Sequence, residues 1–152
     1  MKKSFRKILT SSNILIKTAI KKINDNGKKC LIVVNNTNEL LGVLTDGNIR
    51  QALENNINLN SQITEIYNKN PISINNENIN YEKIKNLLIK NKIFVAPVVN
   101  NENQVVDIIF IEDLFNYNSK KKIPSINAFI MAGGYGKRLL PITEVLPKPL
   151  FP

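Results

Sequence analysis

The chain repeats itself once, and this limits the fold more than any other feature of the sequence. Laid on itself at an offset of 65 residues, the stretch 14–50 meets the stretch 79–115 without a gap. Ile14 falls on Ile79, Ala19 on Ile84, Ile23 on Leu88, Val33 on Val98, Asn35 on Asn100, Asn36 on Asn101, Asn38 on Asn103 and Val43 on Ile108. Identity is low, yet apolar positions and turn residues stay in phase. A repeated unit of this size buries its apolar face by packing on its copy. The expectation is therefore two like units related by an approximate twofold.

Each copy reads as helix, strand, turn, strand, helix. In the first, Ile16, Ala19, Ile20 and Ile23 recur at helical spacing, and Asn26-Gly27 supplies a stop signal. The run 30–34, Cys-Leu-Ile-Val-Val, is that of a buried strand. Asn35 to Glu39 carries turn chemistry, because asparagine tolerates positive φ and bonds its own backbone. A strand over 40–45 completes a hairpin. Asp46 then stands where a helix cap is needed, ahead of Ile49, Ala52 and Leu53. The second copy predicts a helix over 81–90, strands over 93–99 and 104–110, and a helix over 112–116. Between the copies, 63–67 suggests a short helix, and Pro71-Ile72-Ser73-Ile74 an extended entry to the second unit.

Composition narrows the class. With 152 residues, 43% hydrophobic and 22% charged, the chain is of globular type and large enough to bury a core. No run approaches the roughly 20 apolar residues of a membrane helix, and Met1-Lys2-Lys3-Ser4-Phe5-Arg6-Lys7 leads into no apolar signal core, so a cytoplasmic location is expected. Cys30 is the only cysteine and histidine is absent, which leaves neither a disulfide nor a zinc site to build and makes Cys30 a core residue. The net charge of +9 raises nucleic-acid binding as an idea. Its lysines are scattered, however, and no aromatic residues are interleaved with them as a stacking platform requires. No nucleic-acid or membrane partner is expected.

The segment Gly42-Val43-Leu44-Thr45-Asp46-Gly47-Asn48-Ile49-Arg50 joins the second strand to the second helix. Thr45 places a hydroxyl and an amide at a helix N-terminus, where unpaired amides and the helix dipole favour an anion. Asn48, one turn on, can aim an acceptor at ribose hydroxyls. Gly42 permits close backbone approach, and Arg50 or nearby lysines can neutralise phosphate. Thr45 and Asp46 would equally serve as a helix cap with no ligand at all. The segment resembles the end of a CBS module (the cystathionine-β-synthase-type domain), with its pattern of Gly, an apolar residue, any residue, Thr or Ser, two residues, then Asp or Asn. The resemblance covers about two thirds of the chain. It implies a tandem CBS pair, or Bateman module, which binds adenine nucleotides (AMP, ADP or ATP) in clefts between the copies and associates as a homodimer. The cleft residues implied here are Gly42, Thr45 and Asn48, with adenine packed on the apolar edges of Ile14 and Val34. In the second copy Asp107, Phe110 and Asp113 stand at the positions of Gly42, Thr45 and Asn48. Phe110 has no hydroxyl and Asp107 would repel phosphate, so at most one competent cleft is expected.

After Asn116 the composition turns polar and charged, through Lys120-Lys121-Lys122 to Pro124, as in a linker. A second start follows. Residues 126–132 read as a buried strand, running straight into Gly133-Gly134-Tyr135-Gly136-Lys137-Arg138-Leu139. A strand entering a glycine-rich loop is a phosphate-wrapping arrangement. The run from Gly133 through Lys148-Pro149 resembles the signature of sugar-phosphate nucleotidyltransferases, which are Rossmann-like enzymes that join an NTP and a sugar 1-phosphate with Mg²⁺ and release pyrophosphate. By that resemblance, the amides of Gly133, Gly134 and Gly136 bind NTP phosphates, Arg138 stabilises departing pyrophosphate, and Lys148 contacts phosphates near the reacting centre. The metal-binding carboxylates and the base and sugar pockets of such enzymes lie further along than residue 152, so the stretch present is expected to be inactive, and either mobile or docked on a neighbouring chain beyond about residue 120.

The architecture expected is thus an α/β (α+β) tandem CBS pair with pseudo-twofold symmetry: module 1 over 1–60, module 2 over 61–118, a linker over 119–125, and over 126–152 the truncated start of a Rossmann-like nucleotidyltransferase domain. The function expected is nucleotide sensing for a sugar-phosphate nucleotidyltransferase, resembling the CBS-bearing nucleotidyltransferases of legionaminic-acid-type surface-sugar pathways. A purely structural dimerisation platform is the alternative.

Overall fold

Each strand and α-helix of the first unit recurs 65 residues later. In the computed structural model, which describes residues 5–117, β1 (Leu9–Thr10), α1 (Ile16–Asn26), β2 (Cys30–Val34), β3 (Leu40–Thr45) and α2 (Asp46–Glu54) are followed by β4 (Ile74–Asn75), α3 (Tyr81–Lys90), β5 (Val95–Val99), β6 (Val105–Phe110) and α4 (Ile111–Tyr117). Each unit holds a three-stranded sheet in the order β1-β2-β3 or β4-β5-β6, the first pair parallel and the second antiparallel. Even the irregularities repeat. The register slips between Val33 and Val34 and again between Val98 and Val99, and Asn38 and Asn103 both take positive φ, 63° and 58°.

The alternation of strand side chains sorts the core into layers. From β2, Cys30, Ile32 and Val34 point into a central cluster shared by both units, which also holds Val43, Val95, Val99, Val105, Ile108 and Phe110. Leu31 and Val33 face the other way, under the helices, with Ile16, Ala19, Ile23, Ile49 and Ala52. In the second unit Ala96 and Val98 do the same beneath Ile84, Leu88 and Leu114. The two sheets thus lie between two helical layers, and each Leu or Ile buried in these clusters contributes roughly 1.5–3 kcal/mol.

The approximate twofold appears atom for atom where the hairpin turns meet. Leu40 N–H donates to Asn103 O at 2.9 Å, and Val105 N–H donates to Asn38 O at 2.9 Å. Each bond is the other displaced by one repeat, and Glu39 bridges Gln104 between them.

Some boundaries differ from those expected. The strands of the second unit begin at Val95 and Val105, its last helix spans Ile111–Tyr117, and the connector helix is a 3₁₀ turn, Ile63–Glu65. The two-residue strand β1 has no counterpart in the expected order, and β4 overlaps the expected extended entry only at Ile74. They form only by parallel pairing with residues more than 20 positions away, which leaves no local periodicity to read. Thr45, rather than Asp46, is the N-cap of α2. The linker over 119–125 and the stretch 126–152, with Gly133, Gly134, Gly136, Arg138 and Lys148, lie outside the described residues.

Candidate functional site

The β3–α2 junction is held by a reciprocal cap. Asn48 N–H donates to Thr45 Oγ1 at 3.3 Å, while the Thr45 N–H and hydroxyl donate to Asn48 Oδ1 at 2.9 and 2.7 Å. The threonine supplies an acceptor for the helix's third residue, and the asparagine returns one to the cap. Next to it, Asp46 pairs with Arg50 at 2.6 Å on the exposed face of the helix.

This junction forms one wall of a cleft of about 250 Å³ between the units. Val43, Thr45 and Asn48 come from unit one, Asn68, Pro71 and Ile72 from the connector, and Lys92, Ile93, Phe94 and Val95 from the loop leading into β5. The connector is stitched to the free edge of β3. Val43 N–H donates to Asn68 O at 3.0 Å, and Asn68 N–H donates to Val43 O at 2.9 Å. Among the described residues, Lys92 is the only charged one lining the cleft. A cleft with one cation, a helix N-terminus and apolar walls suits a ligand with an anionic end and a flat apolar body.

Of the residues expected at the site, the structure brings Thr45 and Asn48 together in this cleft and places the others elsewhere. A Cβ on Gly42 would lie 2.3 Å from Asn68 O and 2.4 Å from the Tyr67 ring. The close approach that Gly42 permits is therefore to the connector, not to a ligand. Val34 pairs with Leu40, at the opposite end of the hairpin from Thr45, which pairs with Cys30. It borders a second, more open hollow with Ser11, Ser12, Asn13 and the 35–37 turn. Ile14 packs against the helical core of unit one, and its carbonyl accepts from Ile63 N–H at 3.0 Å. Arg50 is tied to Asp46 and does not line the cleft. The Asn48 oxygen, expected to face a ribose, is already used by the cap. The residues missed by the sequence reading are Asn68, Lys92 and their neighbours. Their signal was indirect, since a cleft between copies must take one wall from the second copy.

The symmetry-related position is filled. Phe110, the counterpart of Thr45, is 8% exposed and belongs to the central core. The Lys28 ammonium sits 4.7 Å from its ring centroid. Asp107 is exposed and accepts from the N–H of its neighbour Ile108 at 2.9 Å.

Cys30 is fully buried, and burial pushes its thiol up to about 12, against a smaller opposing pull from Lys28. A thiol held protonated is a poor nucleophile. Among the described residues no group of three His, Cys, Asp or Glu side chains could hold a metal ion, and no helix is long and apolar enough to cross a membrane.

Comparison with known proteins agrees with this fold. The CBS domain family matches residues 8–55, and the nucleotidyl transferase family matches residues 127–152. Among solved structures, the CBS domain pair of protein MJ0100, in complex with 5′-methylthioadenosine and S-adenosyl-L-methionine, is similar with a TM-score of 0.67 and 30% identity, over 76% of this chain and 90% of that one. CBSX2, solved in complex with AMP, has the same fold with a TM-score of 0.65 at 16% identity, over 74% of this chain and 87% of its own. The arabinose 5-phosphate isomerase KdsD of Francisella tularensis is 34% identical over 100 residues, which is 65% of this chain and 30% of the isomerase. An uncharacterised protein of Helicobacter pylori is 27% identical over 112 residues, 74% of this chain and 34% of its own length. The chain thus spans about a third of these two relatives.

Proposed function

The chain belongs to the CBS domain family, and from that we propose that its CBS pair senses an adenine nucleotide in the cleft between the modules. The observation that carries this reading is the cleft itself. It is lined by the N-terminus of α2, with Thr45 and Asn48, by Lys92, the one cation among the described residues of its lining, and by apolar walls from Val43, Pro71, Ile72 and Val95. Adenine stacks on the apolar walls, and phosphate lies between the helix N-terminus and Lys92. The adenosine compounds in the MJ0100 pair support an adenosine-type ligand here.

The sensing pair regulates an enzyme of sugar-phosphate metabolism, a nucleotidyltransferase that joins an NTP and a sugar 1-phosphate. Two matches support this: the nucleotidyl transferase family over 127–152, and a relative that is itself an isomerase of a sugar phosphate. In such an enzyme Gly133, Gly134 and Gly136 would hold the NTP phosphates, Arg138 and Lys148 would neutralise charge at the reacting phosphates, and Mg²⁺ would be bound by carboxylates beyond residue 152. The protein is proposed to be cytoplasmic and to form a homodimer through the pair.

The test is titration calorimetry of the purified chain with AMP, ADP, ATP and guanine nucleotides. Binding of an adenine nucleotide that Thr45→Ala abolishes supports sensing. Absence of heat with every nucleotide, in a chain that still dimerises, replaces it with the dimerisation platform.

A further inference from the structure

The β2–β3 turn of the first module and the β5–β6 turn of the second are built alike, yet only the second is tied to the loop beside it. Asn35 Oδ1 accepts from Thr37 N–H at 3.0 Å and Asn100 Oδ1 from Glu102 N–H at 3.1 Å, so Asn36 and Asn101 hold the same place. In the second module Asn101 uses both ends of its amide. Its Nδ2 donates to Glu77 Oε1 at 2.8 Å, and its Oδ1 accepts from Asn75 Nδ2 at 3.1 Å. A carboxylate oxygen accepts only, and Asn75 Oδ1 itself accepts from Glu77 N–H at 2.8 Å, so the orientation of both amides follows. In the first module Asn36 makes no hydrogen bond among the described residues. The loop facing it is also shorter. Thr10 and Ile74 pair with the corresponding residues Val33 and Val98, and α1 then starts at Ile16 but α3 only at Tyr81, one residue later in the repeat. The shorter loop carries Ser11, Ser12 and Asn13 and no carboxylate, and Ser11 Oγ donates to Asn13 Oδ1 at 2.7 Å. Between this loop and the turn lies the hollow of about 340 Å³ that Val34 and Leu41 line with apolar surface.

We propose that this hollow binds a small organic carboxylate, whose head takes the place that the Glu77 side chain takes in the second module. Asn36 Nδ2 and the Ser12 hydroxyl supply donors, and Val34 and Leu41 cover the aliphatic part of the ligand. Hydrogen bonds to an ionised acceptor are about twice as strong as those to a neutral one, which favours the acid over its amide. Charge points the same way. Lys22, which stands where the second module has Leu87, donates from its ammonium to Thr10 Oγ1 at 3.1 Å, beside the loop. Glu39, the carboxylate of the turn, is held by Asn35 Nδ2 and does not line the hollow. The second module thus meets its own carboxylate at this turn, and the first takes one from solution. No described residue lines both this hollow and the nucleotide cleft, so the assignment does not rest on the nucleotide reading.

The experiment titrates the full chain, at constant ionic strength, with sodium propionate, which reproduces the glutamate side chain, and with propionamide as the uncharged control. Backbone and side-chain amide resonances are followed by NMR. The expected result is a saturable shift of the Asn36 NH₂ and of the Ser12 amide with propionate, binding of propionamide about tenfold weaker or less, and an unmoved Asn101. Asn36→Ala should abolish the saturable shift at Ser12. In Glu77→Ala the second module loses its own carboxylate, and propionate should then shift the Asn101 NH₂ as well. Asn36 and Glu77 are both exposed, so both variants are expected to fold. Any one of four outcomes overturns the assignment: an Asn36 NH₂ that propionate does not move, equal binding of acid and amide, a Ser12 shift that persists in Asn36→Ala, or an Asn101 that stays unmoved in Glu77→Ala.

Discussion

Asn48 and Lys92 line one cleft although 44 positions separate them in the chain, one on the first turn of a helix in the first module and the other in a loop of the second. In the proposed nucleotide site the helix N-terminus would supply orientation and the ammonium charge.

Replacing Lys92 with alanine is expected to weaken AMP binding by about tenfold, equivalent to about 1.4 kcal/mol, and to leave the thermal midpoint almost unchanged. Lys92 is exposed and makes no ion pair among the described residues. Calorimetry at two salt concentrations checks the assignment, since the parent should lose affinity with added salt more steeply than the variant.

Thr45→Ala removes the hydroxyl from both the cap and the cleft. The cap is worth about 1 kcal/mol, so chemical denaturation should show a loss of that order together with loss of nucleotide binding. Thr45→Ser keeps the oxygen and should recover both. Recovery of stability without binding would mean that the methyl group shapes the cleft.

Gly42→Ala places a methyl 2.3 Å from a backbone oxygen, where no side-chain rotation gives relief. The connector must lift from β3, breaking the paired bonds between Val43 and Asn68. A destabilisation of about 1–3 kcal/mol is expected, as for overpacking elsewhere, and hydrogen exchange at Val43 and Asn68 should accelerate selectively.

One nucleotide should bind per chain. Phe110 occupies the place of Thr45 in the second module and carries Lys28 on its ring. A calorimetric stoichiometry of two would show that the aromatic side chain moves aside. Phe110→Ala cannot serve as a simple site-opening variant, because deleting a buried phenylalanine costs roughly 3–5 kcal/mol.

Cys30 should resist thiol reagents in the folded chain and react only on unfolding. Its pKa is raised in the fold from 9.0 to about 12, so the unfolded chain loses this proton first. The associated stability is complete below pH 9 and falls as pH rises from about 9 to 12. Denaturation midpoints across that range should decline more steeply for the parent than for Cys30→Ala.

Much of the architecture is legible in the sequence because apolar spacing is a local record of which face of an element is buried. The helices at 16–26 and 81–90 and the strands at 30–34 and 40–45 lie where their periodicity puts them, and the counterpart of Thr45 is visibly an aromatic residue. The cleft was only half legible. Thr45 and Asn48 could be found from the turn chemistry at a helix start, whereas Asn68 and Lys92 carry no pattern of their own. Ile14 and Val34 are the apolar edges that the CBS resemblance implies for adenine, but the hairpin register sends Val34 to the far end of the sheet.

The sequence by itself determined that two like units would form, what each contains, and that a hydroxyl and an amide would start the helix after the third strand. These follow from rules acting over a few residues and from the need of each repeat to cover its apolar face. The tertiary structure alone decided which residues share the cleft and that Gly42 accommodates the connector. Those outcomes depend on packing between segments far apart in the chain, which is not written in the spacing of side chains along one element.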